Sequence, residues 1–245
     1  MKIVADYHTH TIYSHGKGTI MDNVIAAKKR GLKKLAIADH GPNHISFGVK
    51  IKEFYKMREE IDQINDTIDG IEVLMGIEAN IVGQDGTIDV PKEFLELFDI
   101  ILAGYHYATR PTSLRDVYSL TIVNGLGKIS KSWAQKAKGI NTDAIIQAMD
   151  KYPIQIITHP GAKIPIDTHR LAQAAAKSGT WLEINASHGY LSKDMIQIAK
   201  EYDVKFVIDS DAHIPDRVGE VEKGISTALS AGLTVEDIVN AQEGE

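Results

Sequence analysis

The sequence predicts an α/β barrel close to the eight-stranded (β/α) form, with mostly parallel strands inside and helices outside. Three observations carry this. Seven short runs rich in Val and Ile recur with helical segments between them, and strands that alternate with helices build a parallel sheet. The runs are nearly continuous in apolar character, as strands buried on both faces are. Six of them finish at or just before a histidine or a carboxylate. A closed barrel gathers all its strand ends on one face, whereas an open sheet concentrates function at one switch point.

The elements follow in order. A first strand near residues 2–8 leads to a helix from Thr19 to Arg30, ended by Gly31. A strand near 34–39 leads to a helix from Ile51 to Ile68, ended by Gly70; glycine is the usual residue just past a helix. Strands follow near 71–78 and 99–105. A helix is expected from Thr142 to Lys151 with Asn141 as its N-cap, then a strand near 154–159 and a helix from Thr168 to Lys177. The strand near 181–185 precedes a helix from Ser192 to Glu201, with Ser192 placed to cap it. The last strand, near 204–209, is followed by helices from Val218 to Ser230 and from Thr234 to Asn240. No linker, repeat or low-complexity tract interrupts the rhythm, so residues 1–245 read as one domain.

The bulk composition narrows the functional classes. The chain has 245 residues, 43% of them hydrophobic and 24% charged, as expected of a globular core. A net charge of -6 argues against a general binder of nucleic acid or anionic membrane. There is no cysteine, which excludes disulfides, thiolate nucleophiles and cysteine-ligated zinc. The first residues run straight into a strand with no signal-peptide pattern, and no apolar run approaches the roughly 18 residues of a membrane span. A cytoplasmic protein with no membrane association is expected.

One segment departs from the rhythm. About 50 residues separate His106 from His159, where a simple βα unit needs about 30. Residues 107–140 hold six basic side chains (Arg110, Arg115, Lys128, Lys131, Lys136 and Lys138) against one acid, Asp116. The bland reading is a solvated helix. The sharper one is a basic insertion forming a lid or phosphate-attracting rim on the catalytic face, with Trp133 as either a stacking or a packing residue.

The histidines carry the chemistry. His8 and His10 are two apart on an extended segment and face one side, with Asp6. His40, Glu78, His106 and His159 each close or follow a strand, Asp211 and His213 repeat the two-residue spacing, and His15 lies in a turn. Each alone has an ordinary explanation. Together, convergent imidazoles and carboxylates are what a metal cluster needs. His44 and His169 read as loop and surface residues; His188 lies past a strand end and is a candidate substrate contact.

Asp6-Tyr7-His8-Thr9-His10, Ala38-Asp39-His40, Gly76-Ile77-Glu78-Ala79-Asn80, Thr158-His159-Pro160 and Ser210-Asp211-Ala212-His213 resemble, in content and order, the polymerase-and-histidinol-phosphatase (PHP) family, and its small stand-alone bacterial phosphatases in particular. The resemblance implies a distorted TIM-like (β/α)7 barrel and a trinuclear site for three divalent transition-metal ions (zinc, manganese or iron). It assigns His8, His10, Glu78 and Asp211 to one ion, His15, His40 and His213 to a second, and Glu78, His106 and His159 to a third. All nine positions carry a competent residue.

Three such ions with two carboxylates leave a site of about +4, suited to a phosphate monoester. Hydroxide generated on the metals would attack phosphorus without a protein nucleophile. The resemblance thus implies a phosphatase acting on a small phosphorylated substrate, with histidinol phosphate one member of the class. Lys17, Arg110, Lys163 and above all Arg217 are candidates for phosphate oxygens, and Asp6 and Asp39 for orienting histidines. Two alternatives stand beside this: a nuclease or phosphodiesterase acting on oligonucleotide ends, favoured by the basic segment, and a non-catalytic metal-binding regulatory module, which the complete donor set opposes.

Overall fold

A computed structural model of the protein describes residues 1–244. The first apolar run divides at Val4, into β1 (Lys2–Ile3) and β2 (Ala5–Thr9). Seven strands then form one parallel sheet in chain order: β2, β3 (Lys34–Ile37), β4 (Glu72–Asn80), β5 (Ile100–Gly104), β6 (Ile156–Ile157), β7 (Trp181–Asn185) and β8 (Phe206–Asp209). Strand β1 stays outside and pairs antiparallel with β9 (Ala241–Gln242).

The sheet curls into a nearly closed barrel, and its seam is stitched largely by side chains. Near the top, Thr9 bridges Ala212, and the His10 amide donates to the Ala212 carbonyl at 2.8 Å. Below this the Tyr7 amide donates to Asp209 Oδ1 at 2.7 Å. At the bottom Asn240 stands in for a strand. Its Nδ2 donates to the Ala5 and Ile208 carbonyls at 2.8 and 2.7 Å, and its Oδ1 accepts from the Ile208 amide at 3.1 Å. Buried backbone groups need partners, and here an amide side chain supplies them.

The interior is lined by one or two residues per strand, among them Ala5, Tyr7, Ala36, Ala38, Leu102, Ile156 and Val207. A larger apolar layer lies between the strands and the helices. Helix α1 (Ile20–Lys29) begins at a Thr19–Asp22 capping box and stops before Gly31 at φ +77°. The second helical segment is a 3-10 turn, Ile51–Glu53, running into α2 (Phe54–Thr67).

The long segment after β5 holds α3 (Leu114–Asp116), a π-helical stretch Val117–Ile122, α4 (Val123–Gly127) and α5 (Lys131–Lys151). Helix α5 begins some ten residues before the start expected from sequence. Asn141 is therefore no N-cap: it is buried mid-helix, exchanging amide hydrogen bonds with Asn124 at 2.8 and 2.9 Å. Beyond it come α6 (Thr168–Ser178), α7 (Lys193–Lys200), which Ser192 does cap, and α8 (Glu222–Ser230). The last expected helix is a single 3-10 turn, Val235–Asp237.

Candidate metal centre

The nine predicted donors converge at the C-terminal ends of the strands. Glu78, on β4, is fully buried and lies at the centre. Its Oε1 is 3.3 Å from His8 Nε2, 3.2 Å from His106 Nε2 and 3.0 Å from His159 Nε2. Its Oε2 is 2.7 Å from His40 Nδ1. Asp211 Oδ1 lies 3.2 Å from His10 Nε2 and 3.7 Å from His8 Nε2. The rings of His15 and His213 stand 4.1 Å apart, and His15 stacks on His40 at 4.8 Å.

Three sets of donor atoms lie within 4.8 Å of one another: His8, His10 and Asp211; His10, His40 and His213; His40, Glu78 and His106. The first holds three of the four residues that the resemblance assigns to one ion, without Glu78. The other two share out the same residues differently, with His10 beside His213 where His15 was expected and His40 beside Glu78 where His159 was expected.

The donor set fits cations. His10 Nδ1, His15 Nδ1, His40 Nδ1 and Glu78 Oε2 are buried without a hydrogen-bond partner, a state that costs free energy. His40 Nδ1 and Glu78 Oε2 approach closely yet do not hydrogen bond. Tautomers agree with this. His8 Nδ1 meets Glu183 Oε1 at 2.6 Å and His106 Nδ1 meets Asn80 Oδ1 at 2.8 Å. Both partners are acceptors, so each Nδ1 carries the proton and each Nε2 points inward.

Burial opposes a charge on His8, but the carboxylates of Glu78, Glu183 and Asp211 outweigh it and hold its pKa well above the usual range. A proton thus takes the place a cation would fill, and metal binding would displace it. Burial lowers His10 well below its usual value, His15 to about 4 and His106 to about 3, so these rings stay neutral. Burial alone would raise the Glu78 carboxyl, but the imidazoles around it, among them the charged His8, hold it well below the usual range. His159 and Asp211 have φ of +29° and +52°. Non-glycine residues reach such values where the surroundings over-determine them, often at functional sites.

The candidates for orienting histidines are elsewhere than expected. Asp6 and Asp39 are buried, yet neither meets an imidazole N–H. Asp6 accepts from the Ser210 hydroxyl and the Ser210 and Gly219 amides, and Asp39 from the Thr11 amide and hydroxyl and from Ser14. The alternation that would align Asp6 with His8 is broken by a register shift between Asp6 and Thr9. Glu183 and Asn80 take the orienting places instead. The signal for Glu183 was present in the sequence: like Glu78, it is an acid inside an apolar strand.

A cavity of about 490 Å³ opens above the cluster. Lys17, Lys163 and His188 line it, together with His44 and Phe47, whose place in the site the sequence did not reveal. Burial lowers the Lys163 ammonium. His188 Nε2 lies 3.2 Å from Asp211 Oδ2, and this hydrogen bond raises its pKa.

Arg217 is not brought to the cavity: its Nε donates to Glu220 Oε2 at 3.1 Å on the surface. Among the described residues, none of 107–140 lines the cavity. Lys136 covers the Trp133 and Tyr118 rings, Lys138 pairs with Asp167, and the Arg110 amide donates to the Asn43 carbonyl. The segment touches the site's edge through residues 108–110, which pair with the 43–45 loop behind His44, and through the Tyr107 hydroxyl, which donates to the Lys163 carbonyl.

Seven parallel strands around a buried core, with nine imidazole and carboxylate donors over one end, define an α/β barrel with a candidate metal centre. The chain belongs to the PHP family: the PHP domain model matches residues 6–209. It is 34% identical over 250 residues to a probable phosphatase of Shewanella frigidimarina, with 98% of this chain and 90% of the relative covered. It is 32% identical over 260 residues to a probable phosphatase of Thermoanaerobacter sp. (strain X514), covering 100% and 93%. Among solved structures, the histidinol phosphate phosphatase of Lactococcus lactis, complexed with zinc, L-histidinol and phosphate, superposes with a TM-score of 0.62 over 94% of each chain at 17% identity. That likeness speaks for the fold. Among the described residues no helix is long and apolar enough to cross a membrane.

Proposed function

We propose that this protein is a metal-dependent phosphatase that hydrolyses a small phosphate monoester. Three divalent transition-metal ions, zinc, manganese or iron, would be held by His8, His10, His15, His40, Glu78, His106, His159, Asp211 and His213. The observation that carries the reading is Glu78, a fully buried carboxylate with imidazole nitrogens of four histidines within 3.3 Å. Divalent ions there would supply Lewis-acid charge and an activated water.

The chain's own residues do the rest. Glu183 and Asn80 fix the Nδ1–H tautomers of His8 and His106. Lys17 and Lys163 at the mouth match the charge of a phosphate dianion, and His188, aligned by Asp211, is placed to meet a substrate oxygen. The relatives named probable phosphatases support the activity. The Lactococcus complex puts phosphate esters of amino alcohols among the substrates to try. The oligonucleotide reading rested on the basic segment, whose place away from the cavity leaves it little support.

The test joins metal analysis to a screen of phosphate monoesters in manganese and in zinc. Purified protein should carry more than one equivalent of transition metal and turn over at least one small ester. Glu78→Gln should lose metal and at least about a thousandfold in kcat/KM, since metal catalysis supplies several kcal/mol and each tenfold is about 1.4 kcal/mol. Less than one equivalent of metal after gentle purification, or hydrolysis that persists in Glu78→Gln, refutes the reading.

A further inference from the structure

The fully buried Asn80 is the partner of His106, and an amide, unlike a carboxylate, can present either a donor or an acceptor. Its orientation is therefore chemical information. Asn80 Nδ2 donates to Asp89 Oδ2 at 2.6 Å and lies 3.3 Å from the Gly41 carbonyl, so Oδ1 is turned to His106. Asp89 is itself buried and also accepts from the Asn80 and Asn43 amides at 2.8 and 2.9 Å. Every group facing its oxygens is an N–H, so the carboxylate acts only as an acceptor. Gly41 presses on the same carboxylate: a Cβ there would lie 2.3 Å from Asp89 Oδ1.

We infer that Asp89 is a positioning residue for the metal site: through Asn80 it locks His106 in the Nδ1–H tautomer and leaves Nε2 free to bind a cation. The inference rests on the metal-site reading above, but not on the reaction. Asp89 lies on the stretch after β4, two hydrogen bonds from the ring it controls. By holding the Asn43 amide it also ties the loop that carries His44 and Phe47 to the same point. A carboxylate that touches an imidazole directly, as Glu183 touches His8, needs no such relay because it can only accept.

The tautomer can be read without catalysis. In full-length, nitrogen-15-labelled protein stripped of metal with a chelator, long-range proton–nitrogen correlations at pH 8 should show His106 as Nδ1–H. Asp89→Asn lets the Asn80 amide turn over. His106 should then become Nε2–H or a mixture, and zinc retention against a competing chelator should fall roughly tenfold, the lower end for loss of an outer-sphere partner. Asn80→Asp combined with Asp89→Asn restores an acceptor-only group beside His106 and should recover the Nδ1–H form. Wild-type His106 in the Nε2–H form overturns the inference with no variant needed. So does Asp89→Asn with tautomer and zinc retention unchanged, or a double variant that does not recover Nδ1–H. None of these outcomes depends on phosphatase activity, so the inference can fail while the proposed function stands, and the reverse.

Discussion

His8, His10, Glu78 and His106, at the floor of the cavity, are at most 2% exposed and stand on barrel strands or within two residues of one. At the mouth, the side chains of His213 and His188 are 32% and 50% exposed and stand on loops. At the floor, the buried acceptors Glu183 and Asn80 hold the His8 and His106 rings, so their Nε2 atoms point inward before any ion arrives. Toward the mouth rings stack, His15 on Phe47 at 4.3 Å and His40 on His44 at 5.4 Å, and His188 and His213 reach Asp211 from partly exposed loops. We read the difference as a division of labour: a fixed floor would set metal geometry, and a more exposed, softer rim would meet the substrate.

The largest effect expected is on the wall of the floor and is a matter of pH. Burial pushes the Asp89 carboxyl up to about 6 from an ordinary 3.8. A carboxyl whose folded pKa is raised keeps its full share of stability below the unfolded pKa and loses it as pH climbs to the folded one. Between about pH 4 and pH 6 the wild type should therefore lose on the order of 3 kcal/mol that Asp89→Asn does not. Urea unfolding of the metal-free proteins at both ends of that window measures the difference. A gap between wild type and variant that does not move with pH would show that Asp89 is not a buried charge, and the rigid floor would lose one of its fixed points.

The next effect tests what holds His8. Glu183 accepts on both oxygens, from the His8 ring at 2.6 Å and from the His159 amide at 2.5 Å. Glutamine has one acceptor and one donor, so one of those N–H groups would face another N–H. Glu183→Gln should lower kcat/KM and metal affinity together by roughly 10–100-fold, as outer-sphere partners of metal-bound histidines do. A loss confined to KM, with metal retained, would move Glu183 from the floor to substrate binding and erase the contrast drawn above.

The same contrast explains what the sequence disclosed. Strand ends carrying His8, His40, Glu78, His106, His159 and Asp211 are legible because a polar residue closing an apolar run is rare and has a reason. The barrel follows from the same runs, and the structure bears out its seven strands. The orienting residues were less legible. Asp6 was expected to face His8 by strand alternation, and a local register shift, which leaves no mark in composition, turned it away. Asn80 was readable only as part of a motif, since an amide gives no charge signal. The mouth was legible only in part: Lys17, Lys163 and His188 were candidates and line the cavity, but His44 and Phe47 reach it through a loop whose path is set by tertiary hydrogen bonds to Asp89 and to residues 108–110. The start of α5 was misplaced because Asn141, a good cap by type, is satisfied inside the helix by Asn124 and Pro165.

The smallest effect separates two cations that sequence alone ranked the other way round. Arg217, four residues past His213, was the favoured phosphate ligand, and Lys163 a lesser one. In the structure Arg217 spends its guanidinium on Glu220, a half-exposed pair three residues away, and such pairs contribute about 0–1 kcal/mol. Lys163 lines the cavity instead. Arg217→Ala should therefore leave kcat and KM within about twofold, while Lys163→Ala raises KM by roughly tenfold, one charge-assisted hydrogen bond of about 1.5 kcal/mol. Steady-state kinetics on the best ester from the screen decides between them. If Arg217→Ala loses as much as Lys163→Ala, the mouth closes further around substrate than its present form implies, and the soft rim is a moving part of the site rather than a static one.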